Sequence, residues 1–331
     1  MQVGRAVEYD HYGDFDVVHI VPQERPKARE GEIVVEVIAA GLNHIERFVR
    51  EGRLQGRVDI EFPARQGTCF AGIVKERGPG VKDLAVGAEV MGHAIGGGAH
   101  ATWVRVPRTA VVKKPATMAF EVAGGLYLAG CTAKSIVDEL ALGPDDVVVI
   151  SAAAGGVGHL ECQLAQIAGA QVIGTCSPRN HDYLRQIGIH PVTYGDGLEE
   201  RIAEAAKGRP VTAFIDNHGG DNPALSESLG VPADRFVSSD HRREVEIRFL
   251  RAPAEDAEVT RLLTELSGLI EHHKLRLLIS GFYPFEYIVD AYEDLAEMHS
   301  RGKVVVGMQP VETGARLSWY RSQKARTVHE R

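Results

Sequence analysis

Asp145-Asp146-Val147-Val148-Val149-Ile150-Ser151-Ala152-Ala153-Ala154-Gly155-Gly156-Val157-Gly158-His159-Leu160 is a short β-branched run that breaks into a glycine turn and then becomes helical. A run of this kind reads as a strand buried on both faces. Gly155 and Gly156 let the backbone approach a pyrophosphate with no side chain between, and Gly158 permits close packing of the following helix. That helix, expected to begin near Val157, offers free N–H groups and the positive end of its dipole. Against the G-x-G-x-x-G pattern the first glycine is Ala153, but the strand before and the helix after supply the context. Gly155, Gly156 and Val157 are therefore expected to hold a dinucleotide.

On either side of this turn the texture of the chain changes. Between 120 and 274, apolar strands such as Val147 to Ser151 and Val172 to Thr175 alternate with helical stretches such as Leu160 to Ala168, the rhythm of a doubly wound parallel sheet. Before it, over 1–119, short β-branched segments are cut by glycine and proline: Ile33 to Ala39, Ala71 to Val74, Glu89 to Met91, Thr102 to Val106 and Ala110 to Val112. This predicts a β-rich, barrel-like module. Over 275–310 the text returns to strand (Leu275 to Ile279), helix (Phe285 to His299) and strand (Lys303 to Gly307), so the chain is expected to come back to the first module. The polar, basic stretch 311–331 reads as a loosely held tail.

The formal net charge of -8 argues against a broad basic surface for nucleic acid or anionic lipid. No apolar run approaches the roughly 20 residues of a membrane-spanning helix. The charged N-terminal stretch reads as a first strand rather than a secretory signal, which points to the cytoplasm. Cys69, Cys131, Cys162 and Cys176 lie far apart, without Cys-x-x-Cys pairing, and read as buried free thiols.

An acidic residue at the end of the second strand of such a unit holds the ribose hydroxyls of NAD. Here Gln171-Val172-Ile173-Gly174-Thr175 runs into Cys176-Ser177-Pro178-Arg179-Asn180 instead. Ser177 and Arg179 suit a 2′-phosphate, so the expected cofactor is NADPH.

Ser151-Ala152-Ala153-Ala154-Gly155-Gly156-Val157-Gly158, followed by Gln163-Leu164-Ala165, resembles the glycine turn and helix of the zinc-independent quinone oxidoreductases of the medium-chain dehydrogenase/reductase superfamily. Gly41-Leu42-Asn43, Phe62-Pro63 with Gly67 to Val74, Ala129-Gly130-Cys131-Thr132-Ala133 and Arg301-Gly302-Lys303-Val304-Val305 extend the likeness over nearly the whole chain. The resemblance implies a GroES-like β-barrel domain built from both ends, a Rossmann domain between them, and a homodimer. It places Asn43, the one candidate catalytic residue, beside the nicotinamide ribose or the substrate carbonyl, Thr132 near the carboxamide and Tyr194 against the adenosine phosphate. Ser238, after the next predicted strand, is placed to meet the cofactor through its backbone.

Where zinc-dependent relatives carry metal ligands, this chain has Asn43, Thr68 and Leu128, and Leu128 offers no donor atom. No metal is expected. Hydride transfer to an electron-poor quinone or α,β-unsaturated carbonyl suits such a site, and a saturated alcohol does not. The chain departs from the family at Phe48, where relatives have tyrosine, at Cys69 and at His218; His44, His93 and Tyr127 flank the motifs as alternative polar groups. Three functions stay open: quinone reductase, enone or enoyl reductase, and an NADPH-binding sensor or structural protein without turnover.

Overall fold

The computed structural model describes residues 3–297 and 301–308; the tail beyond Pro310 and His299 of the expected helix lie outside the described residues. Strand Glu32–Gly41 organises the first half because its side chains are buried on both faces. It therefore has partners along both edges: Cys69–Arg77 on one, Trp103–Pro107 and Lys303–Gly307 on the other, all antiparallel. Ile279–Pro284, Glu89–His93 and Val111–Lys113 complete a seven-stranded sheet, and a small sheet of His19–Gln23, Gly4–Tyr9 and Ala64–Arg65 lies alongside. The strand from residue 303 enters this sheet between strands from early and late sequence, so the two ends of the chain share one module.

The middle of the chain forms a parallel five-stranded sheet in the order His190–Thr193, Gln171–Cys176, Val147–Ile150, Ala213–Ile215, Phe236–Val237. Val147–Ile150 is fully buried at its centre. The next strand in sequence lies to one side and the later pair to the other, which makes its C-terminal end a topological switch point.

Helix Phe120–Leu140 joins the two sheets, and its small residues explain how. A Cβ at Gly124 would stand 2.5 Å from the Ala39 carbonyl oxygen, and one at Gly41 would stand 2.8 Å from that of Gly124. Only glycine allows helix and strand to touch at this crossing. One continuous apolar core results, running from Ile45, Cys69 and Met91 through Leu126 and Ile136 to Val148 and Ile215.

The strand expected over Leu275 to Ile279 begins only at Ile279. Arg276 exchanges two 2.9 Å hydrogen bonds with the Gln163 side chain, and Leu278 N donates to a ring nitrogen of His159. Side chains of the helix after the glycine turn thus take the backbone groups that a strand neighbour would have taken.

Candidate active site at the glycine turn

At the switch point the backbone divides between two neighbours. Ser151 N donates to Ile215 O at 2.9 Å and Ala153 N to Thr175 O at 3.0 Å, on opposite sides. Between them Ala152 adopts a left-handed φ of 48°. Helix Gly158–Ile167 follows, with Val157 at its N-cap, one residue later than the sequence suggested. The Cβ that Gly158 lacks would lie 2.5 Å from Ala152 O, so this glycine sets how closely helix and turn pack.

The returning C-terminal segment meets the turn directly. Gly302 N donates to Ala154 O at 2.9 Å, Gly155 pairs with Gly302 as an isolated bridge, and a Cβ at Gly156 would lie 3.0 Å from Lys303 Cδ. His159 is fully buried there. Because Leu278 N is the donor to Nε2, the ring proton sits on Nδ1 and bonds Gly155 O at 2.7 Å. Burial pushes its pKa down to about 4.

A neutral, buried histidine makes this contact acid-sensitive. Between pH 6.5 and about 4 the unfolded chain takes up a proton that the folded chain refuses, so stability present above 6.5 is lost as the pH falls. The loss attributable to His159 should reach about 3 kcal/mol at the acid end of that window. His159→Gln, which can donate to Gly155 O and accept from Leu278 N, should flatten the curve of melting temperature against pH; an unchanged slope would refute the assignment.

Lys303 runs from the turn to the other half of the site. Its Nζ donates to Asn43 Oδ1 and to Leu42 O, both at 2.6 Å, in full burial. Asn43 stands at the N-cap of helix His44–Arg50, where Glu46 accepts from its backbone N–H at 3.1 Å. The amide nitrogen of Asn43 bonds Glu46 at 3.3 Å and Cys69 Sγ at 3.4 Å. Thr68 N also donates to Glu46, and Leu128 N to Cys69 Sγ. Asn43, Thr68 and Leu128 therefore surround one point, but that point is filled by an asparagine amide and a thiol pushed up to about 11 by burial. The donor set does not fit zinc: Leu128 brings only its backbone, and among the described residues no three His, Cys, Asp or Glu side chains gather as a metal requires.

The other candidates fall into groups. Ser177 caps the short turn Pro178–Asn180 and accepts from Asn180 Nδ2 at 3.2 Å. Arg301, which the sequence reading missed, bonds Asn180 Oδ1 at 2.9 Å and Arg179 O at 3.0 Å, so the loop of Ser177 and Arg179 carries a second guanidinium. Tyr194 follows the neighbouring strand and is 60% exposed. Ser238 lies at the opposite side of the sheet, where its hydroxyl caps helix Ser239–Leu250. Thr132 is fully buried in the long helix, its hydroxyl without a partner among the described residues.

Of the alternative polar groups, His93 and Tyr127 stack on each other with ring centroids 4.5 Å apart. Tyr127 donates to Phe249 O at 2.8 Å, and His93 lies 3.3 Å from Ala252 O. These two pin the last turn of helix Ser239–Leu250 and the segment after it, and have a structural task. His44 is exposed at its edge yet crowded by protein; that desolvation, with Lys303, Arg242 and Arg47 nearby, pushes its pKa down to about 4.

A sheet shared by both chain ends, set against a parallel nucleotide-type sheet whose switch-point turn faces a buried Lys-Asn-Glu cluster, defines a two-domain dehydrogenase/reductase. Residues 29–116 match the alcohol dehydrogenase GroES-like domain, and residues 191–306 match the family described as zinc-binding dehydrogenase. A probable quinone oxidoreductase of Schizosaccharomyces pombe is 32% identical over 230 residues, 67% of each chain. The solved structure of the quinone oxidoreductase from Coxiella burnetii is 30% identical with a TM-score of 0.77, covering 93% of this chain and all of that one. An Arabidopsis thaliana NADPH-dependent alkenal/one oxidoreductase is 27% identical over 325 residues, 91% of this chain and 79% of the relative. The chain belongs to the quinone oxidoreductase family of the medium-chain dehydrogenase/reductase superfamily, and it is an oxidoreductase.

Proposed function

We propose that this enzyme uses NADPH to reduce a quinone or a similar electron-poor carbonyl compound, without a metal. The observation that carries the cofactor choice is Arg301, fastened to the loop of Ser177 and Arg179 where an NAD enzyme has an acid. Two guanidiniums and a hydroxyl suit a 2′-phosphate dianion. In this reading Gly155, Gly156 and Val157 receive the pyrophosphate and Tyr194 lies against the adenosine phosphate. Thr132, Ser238 and Asn43 serve the nicotinamide half.

The bound nicotinamide supplies the hydride. The chain supplies orientation: Lys303 fixes the Asn43 amide and spans from the glycine turn to helix His44–Arg50. Reduction also needs a proton, which solvent can deliver at the exposed edge of His44. The homodimer that the resemblance implies and a cytoplasmic location belong to the same proposal.

A second reading, reduction of an enone or enoyl group, is favoured by the likeness to the alkenal/one oxidoreductase. The test is oxidation of NADPH and NADH with a simple quinone and with an enone. The wild type should prefer NADPH with the quinone, and Arg301→Ala should cut that cofactor preference about tenfold by removing charge-assisted hydrogen bonds. Turnover of the enone alone moves the substrate to the second reading. Tight NADPH binding with no turnover of either acceptor points to a more specialised substrate or to a non-enzymatic role.

A further inference from the structure

Helix His44–Arg50 carries Asn43 at its N-cap, and one of its faces runs on past the site. His44 and Phe48, four residues apart, stand one above the other on that face. Phe48 is half-buried, and Arg53 lies over its ring with the guanidinium carbon 4.2 Å from the centroid. Arg243, from helix Ser239–Leu250 of the other module, lies over the same ring at 5.6 Å. Two guanidiniums, one from each module, thus converge on one aromatic side chain close to Asn43. Solvent reaches both, since their side chains are 58% and 37% exposed.

Neither guanidinium has a close carboxylate of its own. Arg53 reaches Glu51 only at 3.5 Å, and that carboxylate already holds Arg47. Arg243 stays 3.8 Å from Asp240, whose side chain is 89% exposed, and its Nε is buried without a hydrogen-bond partner among the described residues. A guanidinium fully engaged by a carboxylate meets it at about 2.7 to 2.9 Å. Two like charges drawn to one ring also repel each other, and an anion between them removes that cost. The neighbouring wall has the same sign: burial pushes the pKa of His44 down to about 4, and the charges that add to the effect are the cations Lys303, Arg242 and Arg47.

The anionic groups of the cofactor have places elsewhere, at the glycine turn and at the loop of Ser177 and Arg179. The acceptor is what remains. We propose that Arg53 and Arg243 bind an anionic group of the substrate, a carboxylate or a phosphate on a tail leading away from the atoms that receive the hydride, and that the apolar stem of this tail lies on Phe48. Because each module contributes one of the two cations, such a substrate is gripped only where the modules meet. The inference rests on the quinone reading and adds the charge of its substrate.

The test measures kcat and KM for NADPH oxidation by three naphthoquinones that differ only in a side chain ending in a carboxylate, a phosphate or a methyl ester. At low ionic strength one of the anionic acceptors should have a kcat/KM about tenfold above that of the ester, chiefly through KM, and high salt should shrink the advantage. Arg53→Gln and Arg243→Gln should each remove most of it. Equal kcat/KM for the three acceptors, or a preference that survives both substitutions, overturns the inference and leaves the quinone reading standing. An equal loss on all three acceptors would show that the arginines only hold the modules together, and overturns it as well. If none of the three is reduced, the quinone reading itself falls, and this inference with it.

Discussion

Gly158→Ala is expected to lower stability by about 2 kcal/mol and to weaken NADPH binding at least tenfold, because its new methyl has nowhere to go. The added Cβ would lie 2.5 Å from Ala152 O and 3.1 Å from Ala153 Cα, both backbone atoms. Ala152 cannot give way easily. It already holds a left-handed φ of 48°, its carbonyl accepts from Gly155 N at 2.9 Å, and the next residue is tied to Thr175 at 3.0 Å. The helix must move instead, and its free N–H groups move with it away from the pyrophosphate. Urea unfolding and a calorimetric titration of NADPH check both parts. A variant that keeps wild-type stability and affinity would show that the turn is softer than its geometry indicates.

Lys303→Met is expected to cost about 3 kcal/mol of stability and to abolish measurable quinone reduction. Methionine fills the volume over Gly156 but leaves Asn43 Oδ1 and Leu42 O without their donor. The charge balance suffers as well, since Glu46 and Glu246 are the acidic groups whose fields act on Lys303. Removing the charged donor from two buried oxygens leaves both acceptors unsatisfied, which is the costly case. Lys303→Arg should not restore activity, because the guanidinium is larger than the ammonium and holds its donors in one fixed plane, whereas Leu42 O and Asn43 Oδ1 are both met at 2.6 Å in a fully buried place. Thermal unfolding separates the stability loss from the loss of turnover; an active Lys303→Met enzyme would remove this residue from the site.

The turn around Gly155 and the parallel sheet were legible because their signals are local: a β-branched run, a glycine cluster and a helix within sixteen residues. The β-rich first module was legible for the same reason, although its strands extend beyond the apolar residues that mark them, as Glu32–Gly41 and Cys69–Arg77 do. What escaped were pairings between distant segments. Arg301 meets Asn180 across 121 residues, and Lys303 meets Asn43 across 260. Leu275 to Leu278 looked like strand because its composition fits one, yet the competing partners, Gln163 and His159, sit on a helix far upstream. The burial of Glu161 has no signal in the sequence, since an acid early in a helix is ordinarily a solvated group favoured by the dipole. His93 and Tyr127 show the reverse, polar residues beside functional motifs whose partners turn out to be backbone carbonyls.

Lys303–Gly307 lies between Ile279–Pro284 and Glu32–Gly41, and this interleaving orders events during synthesis. When Glu32–Gly41 leaves the ribosome, the partner for the C-terminal end of one of its edges, Lys303–Gly307, is still some 261 residues from being made. The parallel sheet draws all five strands from the intervening stretch and can close first, whereas the module that orients Asn43 waits for the last strand to be threaded home. Nascent chains halted before residue 303 should therefore hold a protease-resistant middle and a cleavable first module. The candidate site takes its last buried residue, Lys303, from the strand that is synthesised last.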